Sequence, residues 1–244
     1  MTYTIAVAGK GGVGKTSLSA ALVIALSKVT SATVLAVDAD ANHNLGEKLG
    51  VEVRGTIGEL RDELRDSVPS GVTKADHFSR RLAEMTVEGN GFDLVTMGRP
   101  EGEGCYCYVN NLLRDFFSRS MERYRFAVID NEAGMEHLSR KVLGKVDVLL
   151  IVSDATKVGV ITARRISDLT DEVGMEVGRK VLVVSRAERL HPLVEAEATG
   201  FDDIVLIPHD PEVEALNTIG APLTGLAADA PLLRAACRIA RSVG

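Results

Sequence analysis

The run Gly9-Lys10-Gly11-Gly12-Val13-Gly14-Lys15-Thr16-Ser17 sets two lysines, two hydroxyls and four glycines directly after the apolar stretch Thr4-Ile5-Ala6-Val7-Ala8. This is the pattern of a strand running through a glycine-rich loop into a helix. The spacing Gly9-x-x-x-x-Gly14-Lys15-Thr16 lets backbone N–H groups converge on phosphates at a helix N-terminus, where the helix dipole adds to them. Lys15 then reaches the outer phosphates, and the Thr16 hydroxyl can ligate magnesium. Glycines suit the loop because a Cβ would obstruct the approach of backbone to phosphate. A bare turn between strand and helix would also use glycine, but it would not need the whole eight-position match. The ligand implied is a nucleoside triphosphate held by Gly11, Gly12, Val13, Gly14, Lys15, Thr16 and Ser17.

Three further groups of residues can do chemistry. Asp38 and Asp40 follow the apolar run ending at Val37, on the carboxyl rim of a strand where open α/β sheets bind ligands. An acidic turn that caps Leu45–Leu49 would look the same. His43 is in the right range for proton transfer, but an exposed loop histidine is the expectation. Phe126-Ala127-Val128-Ile129 leads into Asp130-Asn131-Glu132-Ala133-Gly134, an apolar strand ending in an acid with a glycine four residues on. This makes Asp130 a magnesium-shell candidate and Gly134 the hinge of a phosphate-sensing switch, with a helix-capping Asp130 as the alternative. Cys105 and Cys107 stand two apart in Gly104-Cys105-Tyr106-Cys107, so in extended chain they face one ion together. Two thiolates are half of the four that a closed zinc or square-planar nickel site requires. Cys237 is far along the chain, His137 is the one tempting extra ligand, and a pair of small buried residues before a helix is the plain alternative.

Lys10 gives the loop the form Lys-Gly-Gly-Val-Gly-Lys-Thr, which resembles the deviant Walker A loop of the MinD/ParA/nitrogenase-iron-protein (SIMIBI) class of ATPases. The resemblance implies a homodimer in which Lys10 crosses to the partner's nucleotide, with catalytic roles for Lys10, Lys15 and Asp40. It assigns Asp40 to orienting the attacking water and Asp38 to the neighbourhood of the magnesium's water shell. In that class an Asn at the end of a late strand commonly reads the base, whereas here Val183-Val184 is followed by Ser185-Arg186. The segment Ile207-Pro208-His209-Asp210-Pro211-Glu212-Val213 and the later Gly220-Ala221-Pro222 look like the adenine-side loop. Ser185, Arg186, Pro208 and Asp210 are therefore base-side candidates, and ATP/ADP with Mg2+ is the implied ligand pair.

The cysteine loop, from Gly98-Arg99 to Asn111-Leu112-Leu113-Arg114, and the switch Asp130–Arg140 resemble more closely the CooC-type ATPases and the related AcsF proteins. That resemblance implies a metallochaperone assisting nickel insertion into carbon monoxide dehydrogenase or acetyl-CoA synthase. Ni2+ or Zn2+ would sit between two Cys105/Cys107 pairs of a homodimer, four thiolates across a two-fold axis. An iron-protein-type reductase would place a cysteine in the second switch, and Asp130–Gly134 has none. A MinD/ParA-type spatial organiser has no use for the cysteine pair, and an Mrp-type cluster scaffold uses Cys-x-x-Cys, one residue longer.

These residues need a frame to hold them. Strand-like runs recur at Tyr3–Ala8, Thr33–Val37, Phe92–Met97, Arg125–Ile129, Val146–Val152, Lys180–Val184 and Asp203–Ile207, several of them continuously apolar. That pattern predicts a single-domain α/β P-loop NTPase over 1–244, with a mostly parallel central sheet and helices on both faces. Glu52–Gly91, charged and helix-like, is expected to pack as helices outside the sheet. Pro231–Val243 interleaves apolar residues with Arg234, Arg238 and Arg241, the pattern of a helix docked on the domain or of a basic helix lying on a membrane. A formal charge of −6 argues against broad nucleic-acid binding. With neither a leader nor an apolar run of about 18 residues, the expectation is a cytoplasmic protein with reduced thiols.

Overall fold

The computed structural model describes residues 2–40, 42–66, 68–98, 123–132 and 145–243. In chain order the elements are β1 (Tyr3–Gly9), α1 (Lys15–Thr30), β2 (Val34–Ala39), α2 (Asn44–Leu49), α3 (Ile57–Asp66), α4 (Lys74–Met85), β3 (Val87–Glu88), β4 (Phe92–Thr96) and β5 (Phe126–Asn131). They continue with β6 (Lys145–Ser153), α5 (Lys157–Glu172), β7 (Glu176–Ser185), α6 (Pro192–Glu195), β8 (Asp203–Ile207), α7 (Pro211–Thr218) and α8 (Pro231–Val243). Among the described residues the strands form one sheet in the order β3-β4-β2-β5-β1-β6-β7-β8. Every pairing is parallel except that of the short edge strand β3 with β4.

The fold class expected from the sequence is the one observed, and all seven strand-like runs enter the sheet. One correction concerns Glu52–Gly91. Its centre does form α3 and α4 outside the sheet, but Val87–Glu88 turns back against Leu94 and Asp93 as an antiparallel edge. A two-residue strand carries no readable period, so its pattern is lost against the helix before it.

Alternation along the strands divides the core between two faces. Ile5 and Val7 of β1 join α1, α2 and α8 in one apolar cluster. On the other face, Ala6 and Ala8 lie with α5 and α6, while Leu35 and Val37 of β2 lie with α3 and α4. Helix α1 is buried on nearly every side because the sheet covers one flank and α8 the other. The apolar stripe of α8 (Leu232, Leu233, Ala236, Ile239, Ala240) is buried in that contact, and Arg234, Arg238 and Arg241 face solvent. The docked reading of this helix is the one observed.

The approach of β1 to β6 sets the geometry of the loop that follows. A Cβ on Gly9 would lie 2.3 Å from the carbonyl oxygen of Val152, and Gly9 has φ +142°. Gly12 and Gly14 adopt φ +78° and +98° with open space around them, whereas Gly11 is neither crowded nor at positive φ. Three of these glycines are therefore demanded by the protein's own backbone. Gly9→Ala should cost about 1–3 kcal/mol and lower the melting temperature by about 3–10 °C. Gly11→Ala should melt with the parent in the same thermal scan, and an equal loss from both would contradict this division.

Candidate functional site

The loop from Lys10 to Gly14 wraps around the side chain of its own lysine. Lys15 is 7 % exposed, and its Nζ donates to the carbonyl of Lys10 at 3.3 Å. Gly14 precedes α1 in the left-handed region with no side-chain cap, and no acid lies in the first helical turn. The first amides of α1 thus keep their hydrogen-bonding capacity for an anion. Lys10 is exposed on the loop and makes no ion pair among the described residues. The two lysines hold different positions, one enclosed by the loop and one outside it.

Beside the loop the sheet brings two acids together. Strand β5 lies between β1 and β2, and its register sets Asp130 opposite Val7 on one side and opposite Asp38 on the other. Asp38 is 0 % and Asp130 1 % exposed. The Asp38 carboxylate accepts from the backbone N–H of Leu45 at 2.9 Å and of Asp40 at 3.1 Å. Asp38, rather than Asp40, therefore secures the start of α2. Asp130 Oδ1 accepts from the Ser19 hydroxyl at 2.9 Å, while Oδ2 is buried with no hydrogen-bond partner. Burial pushes Asp38 up to about 7, against its two backbone hydrogen bonds and with further upward pressure from Asp130 and Asp40. Burial likewise pushes Asp130 up to about 6, opposed by the hydroxyls of Thr16 and Ser19 and by the charge of Lys15.

This donor set fits magnesium. It consists of hard oxygens, the Thr16 hydroxyl and two carboxylates, and it leaves a buried carboxylate oxygen unsatisfied beside the phosphate loop. Asp40 is half-buried. Its Oδ1 accepts from the backbone and side-chain amides of Asn42 at 2.9 and 3.0 Å, a local turn that commits one oxygen only. His43 corrects an expectation, since it is half-buried rather than exposed, at φ +56°, with Nδ1 buried and unpartnered.

A cleft of about 370 Å3 opens on the other side of α1, lined in part by Val13, Ser17, Ser185, Arg186, Pro208 and Asn217. Its size is that of a small-molecule site. The Ser185 hydroxyl donates to the Ser153 carbonyl at 3.2 Å, and Arg186 Nη2 donates to the Gly12 carbonyl at 3.2 Å. Asp210 lines the same cleft, but both its oxygens are engaged: Oδ1 accepts from Val213 N–H at 3.2 Å and Oδ2 from Leu232 N–H at 3.1 Å. Its carboxylate joins the starts of α7 and α8.

Cys105, Cys107, Gly134 and His137 lie outside the described residues. Among those described, no three His, Cys, Asp or Glu side chains group as a metal site. No described helix is long and apolar enough to cross a membrane. Two contributors went unnoticed in the sequence. Ser19, 0 % exposed, bridges the Lys15 carbonyl and Asp130, and its signal is a serine one turn after Lys15 in an apolar stretch. Asn131 donates from Nδ2 to the Val7 carbonyl at 3.1 Å, tying the end of β5 to β1.

The raised acids give the stability a definite sign. A carboxyl whose folded value exceeds its unfolded one binds more protons in the native state, so stability falls as pH rises from about 4 to the folded value. For Asp130 that window closes near 6 and for Asp38 near 7. Asp130→Asn removes the charge while keeping the shape. Without ligand it should be more stable than the parent by up to about 3 kcal/mol at about pH 8, shrinking toward zero near pH 4. Magnesium-dependent nucleotide binding should weaken in the same variant. Denaturant titrations at both pH values check the first effect, and a variant no more stable than the parent at high pH would show the charge to be compensated.

The family of CobQ/CobB/MinD/ParA nucleotide-binding domains matches residues 4–218. The chain is 43 % identical over 230 residues to an ATP-binding protein of Methanocaldococcus jannaschii, covering 91 % of this chain and 90 % of that one. It is 30 % identical over 235 residues to the carbon monoxide dehydrogenase accessory protein CooC of Rhodospirillum rubrum, covering 88 % and 87 %. In fold it is similar to the septum site-determining protein MinD of Pyrococcus horikoshii in complex with Mg-ADP, with TM-score 0.71, 20 % identity, and coverage of 100 % of this chain and 96 % of that one. The phosphate loop, the paired acids on the carboxyl rim and these likenesses agree: the chain belongs to the CobQ/CobB/MinD/ParA nucleotide-binding family, as a CooC-type ATPase.

Proposed function

We propose that this protein is an ATP-hydrolysing homodimeric switch that assists nickel insertion into carbon monoxide dehydrogenase or acetyl-CoA synthase. The observation that carries the switch is the separation of the two lysines. Lys15 is enclosed by its own loop, positioned for the phosphates bound there, while Lys10 stands outside with no ion pair among the described residues. A cation so placed is free to meet the triphosphate of a second copy, where it would stabilise charge developing in phosphoryl transfer.

Within one protomer, the loop amides and Lys15 bind the phosphates. Thr16, Asp130 and, through water, Asp38 would hold Mg2+, which when bound screens the phosphate charge and polarises the γ-phosphoryl group. Ser19 holds one oxygen of the Asp130 carboxylate and leaves the second without a protein partner. Asp40 keeps Oδ2 uncommitted and would orient the attacking water, a role that is mainly positioning. The nickel part of the reading rests on the Cys105/Cys107 pair and on the similarity to CooC, whose name links it to carbon monoxide dehydrogenase. The metal ion is cargo, taken up between two cysteine pairs and released to the target enzyme. A spatial organiser of MinD/ParA type would share the nucleotide chemistry but would leave the thiols without a role.

Lys15→Ala should weaken ATP binding by about 100-fold, the loss expected of a charged phosphate contact. Lys10→Ala should bind ATP like the parent yet fail to dimerise with it, and Asp40→Ala should bind ATP but hydrolyse it about 10²–10⁴ times more slowly. Calorimetry and analytical ultracentrifugation separate these outcomes; ATP-driven dimers of Lys10→Ala turning over at the parental rate would refute the crossing lysine.

Metal should bind at one ion per dimer and should promote dimerisation as dimerisation promotes metal binding. Affinity should fall as pH drops below the thiol range, because the ligands are thiolates. Replacing Cys105 and Cys107 by Ser should abolish metal-driven dimerisation and leave ATP binding intact. Nickel and zinc titrations followed by light scattering test this, and one ion per monomer would rule out the shared site.

A further inference from the structure

We propose that Ser19 makes this site select Mg2+ over Ca2+, by engaging one oxygen of Asp130 so that the carboxylate offers a metal a single free oxygen. This rests on the reading of the site as a magnesium–nucleotide site, and it names what sets the choice of ion. Ser19 is 0 % exposed in α1, between Leu18 and Ala20, which are buried as well. Alanine would suit that helix better and would carry no polar atom into the core. The serine could satisfy itself on the Lys15 carbonyl one turn back, at 3.0 Å. Its oxygen nevertheless lies 2.9 Å from Asp130 Oδ1, 111 residues away in the chain. A hydroxyl has one proton for those two acceptors, and an ionised carboxylate is the stronger of them. The serine therefore serves Asp130 rather than the helix.

The consequence lies in which carboxylate oxygens remain. Oδ1 of Asp38 accepts from the Asp40 N–H and Oδ2 from the Leu45 N–H. Oδ1 of Asp130 takes the Ser19 proton, which leaves Oδ2 of Asp130 as the one oxygen of the two carboxylates with no partner. Asp38 is 0 % and Asp130 1 % exposed, and hydrogen bonds in such surroundings hold a side chain firmly. An oxygen engaged in this way keeps a second lone pair, but it gives less to a cation, and the bond restricts rotation of the carboxylate. Mg2+ is the ion best served by few, fixed protein oxygens, because it keeps several waters and needs only one or two carboxylates beside the phosphates. Ca2+ gathers roughly six to eight oxygens and can grip a carboxylate by both of its own. Without Ser19, Asp130 would have two unpaired oxygens and freedom to turn, the arrangement that suits the larger ion. A neutral hydroxyl fits this task, since it engages the oxygen without cancelling the charge that draws the cation.

The test measures ADP binding by calorimetry with saturating Mg2+ and, separately, with saturating Ca2+, on the parent, Ser19→Ala and Ser19→Thr. ADP keeps hydrolysis out of the measurement. The parent should bind ADP at least about 10-fold more tightly with Mg2+, and Ser19→Ala should close that gap to within about twofold, binding more weakly with Mg2+ and more tightly with Ca2+. Ser19→Thr keeps the hydroxyl and should keep the parental ratio. Thermal melts accompany the titrations, and Ser19→Ala, a smaller residue and a better helix former, should still unfold in one cooperative transition, so that its ratio belongs to a folded protein. A ratio unchanged in Ser19→Ala, even with an equal loss for both ions, would make Ser19 a brace of the helix and overturn the proposal. A folded Ser19→Thr protein that loses the ratio would overturn it too, as would a parent that binds ADP equally well with either ion. A parent that binds no ADP with either ion overturns instead the nucleotide reading beneath it.

Discussion

Two carboxylates are buried side by side at the ends of β2 and β5, and the rest of the site is arranged around the charge they carry. Asp38 and Asp130 are opposite each other in the parallel register, and both are buried. Burying two like charges is unfavourable unless they are neutralised or paired, and the protein answers only in part. Backbone amides satisfy Asp38, Ser19 satisfies one oxygen of Asp130, and Lys15 lies near enough to lower it. One oxygen remains orphaned. A fold that selected only for stability would not keep that arrangement, and the proposed magnesium with its phosphate would complete it.

The strand order explains why these groups meet. Because β5 inserts between β1 and β2, the strand bearing Asp130 is flanked by the one that feeds the phosphate loop and by the one that carries Asp38. On the far side of β1, the ends of β6, β7 and β8 open the cleft beside the same helix N-terminus. Gly9, Gly12, Gly14, His43 and Arg186 bring left-handed or crowded backbone to this rim.

The parallel sheet and the phosphate loop were legible because they rest on local patterns, apolar runs bounded by turn residues and a fixed glycine–lysine spacing. Asp38 and Asp130 were legible as strand-end acids, but not as neighbours, since their adjacency comes from a register between strands some ninety residues apart in the chain. Ser19 was hidden for the same reason: a helical serine gains its role only when Asp130 is packed against it. Asp210 has a part that its loop did not announce. Its carboxylate accepts from backbone amides at the starts of both α7 and α8 while lining the cleft. Gly12 and Gly14 show a subtler gap, because their need is conformational and Gly11, identical in the sequence pattern, has none.

The proposed division of labour between Lys10 and Lys15 follows from what one protomer can neutralise. Lys15 is enclosed by its loop, and burial of that ammonium is tolerable because the Lys10 carbonyl and, when bound, phosphate oxygens surround it. A second ammonium packed into the same loop would face like-charge repulsion over a few ångströms. Placed outside, it escapes that cost until a second protomer brings its own triphosphate within reach. Nucleotide binding then favours association, and association must favour nucleotide binding to the same degree. A thiolate pair that is incomplete in one copy obeys the same logic for metal. In the proposed dimer, two ligands that each require the second copy would be coupled through it without touching, and loss of the γ-phosphate would weaken the assembly on which metal retention would depend.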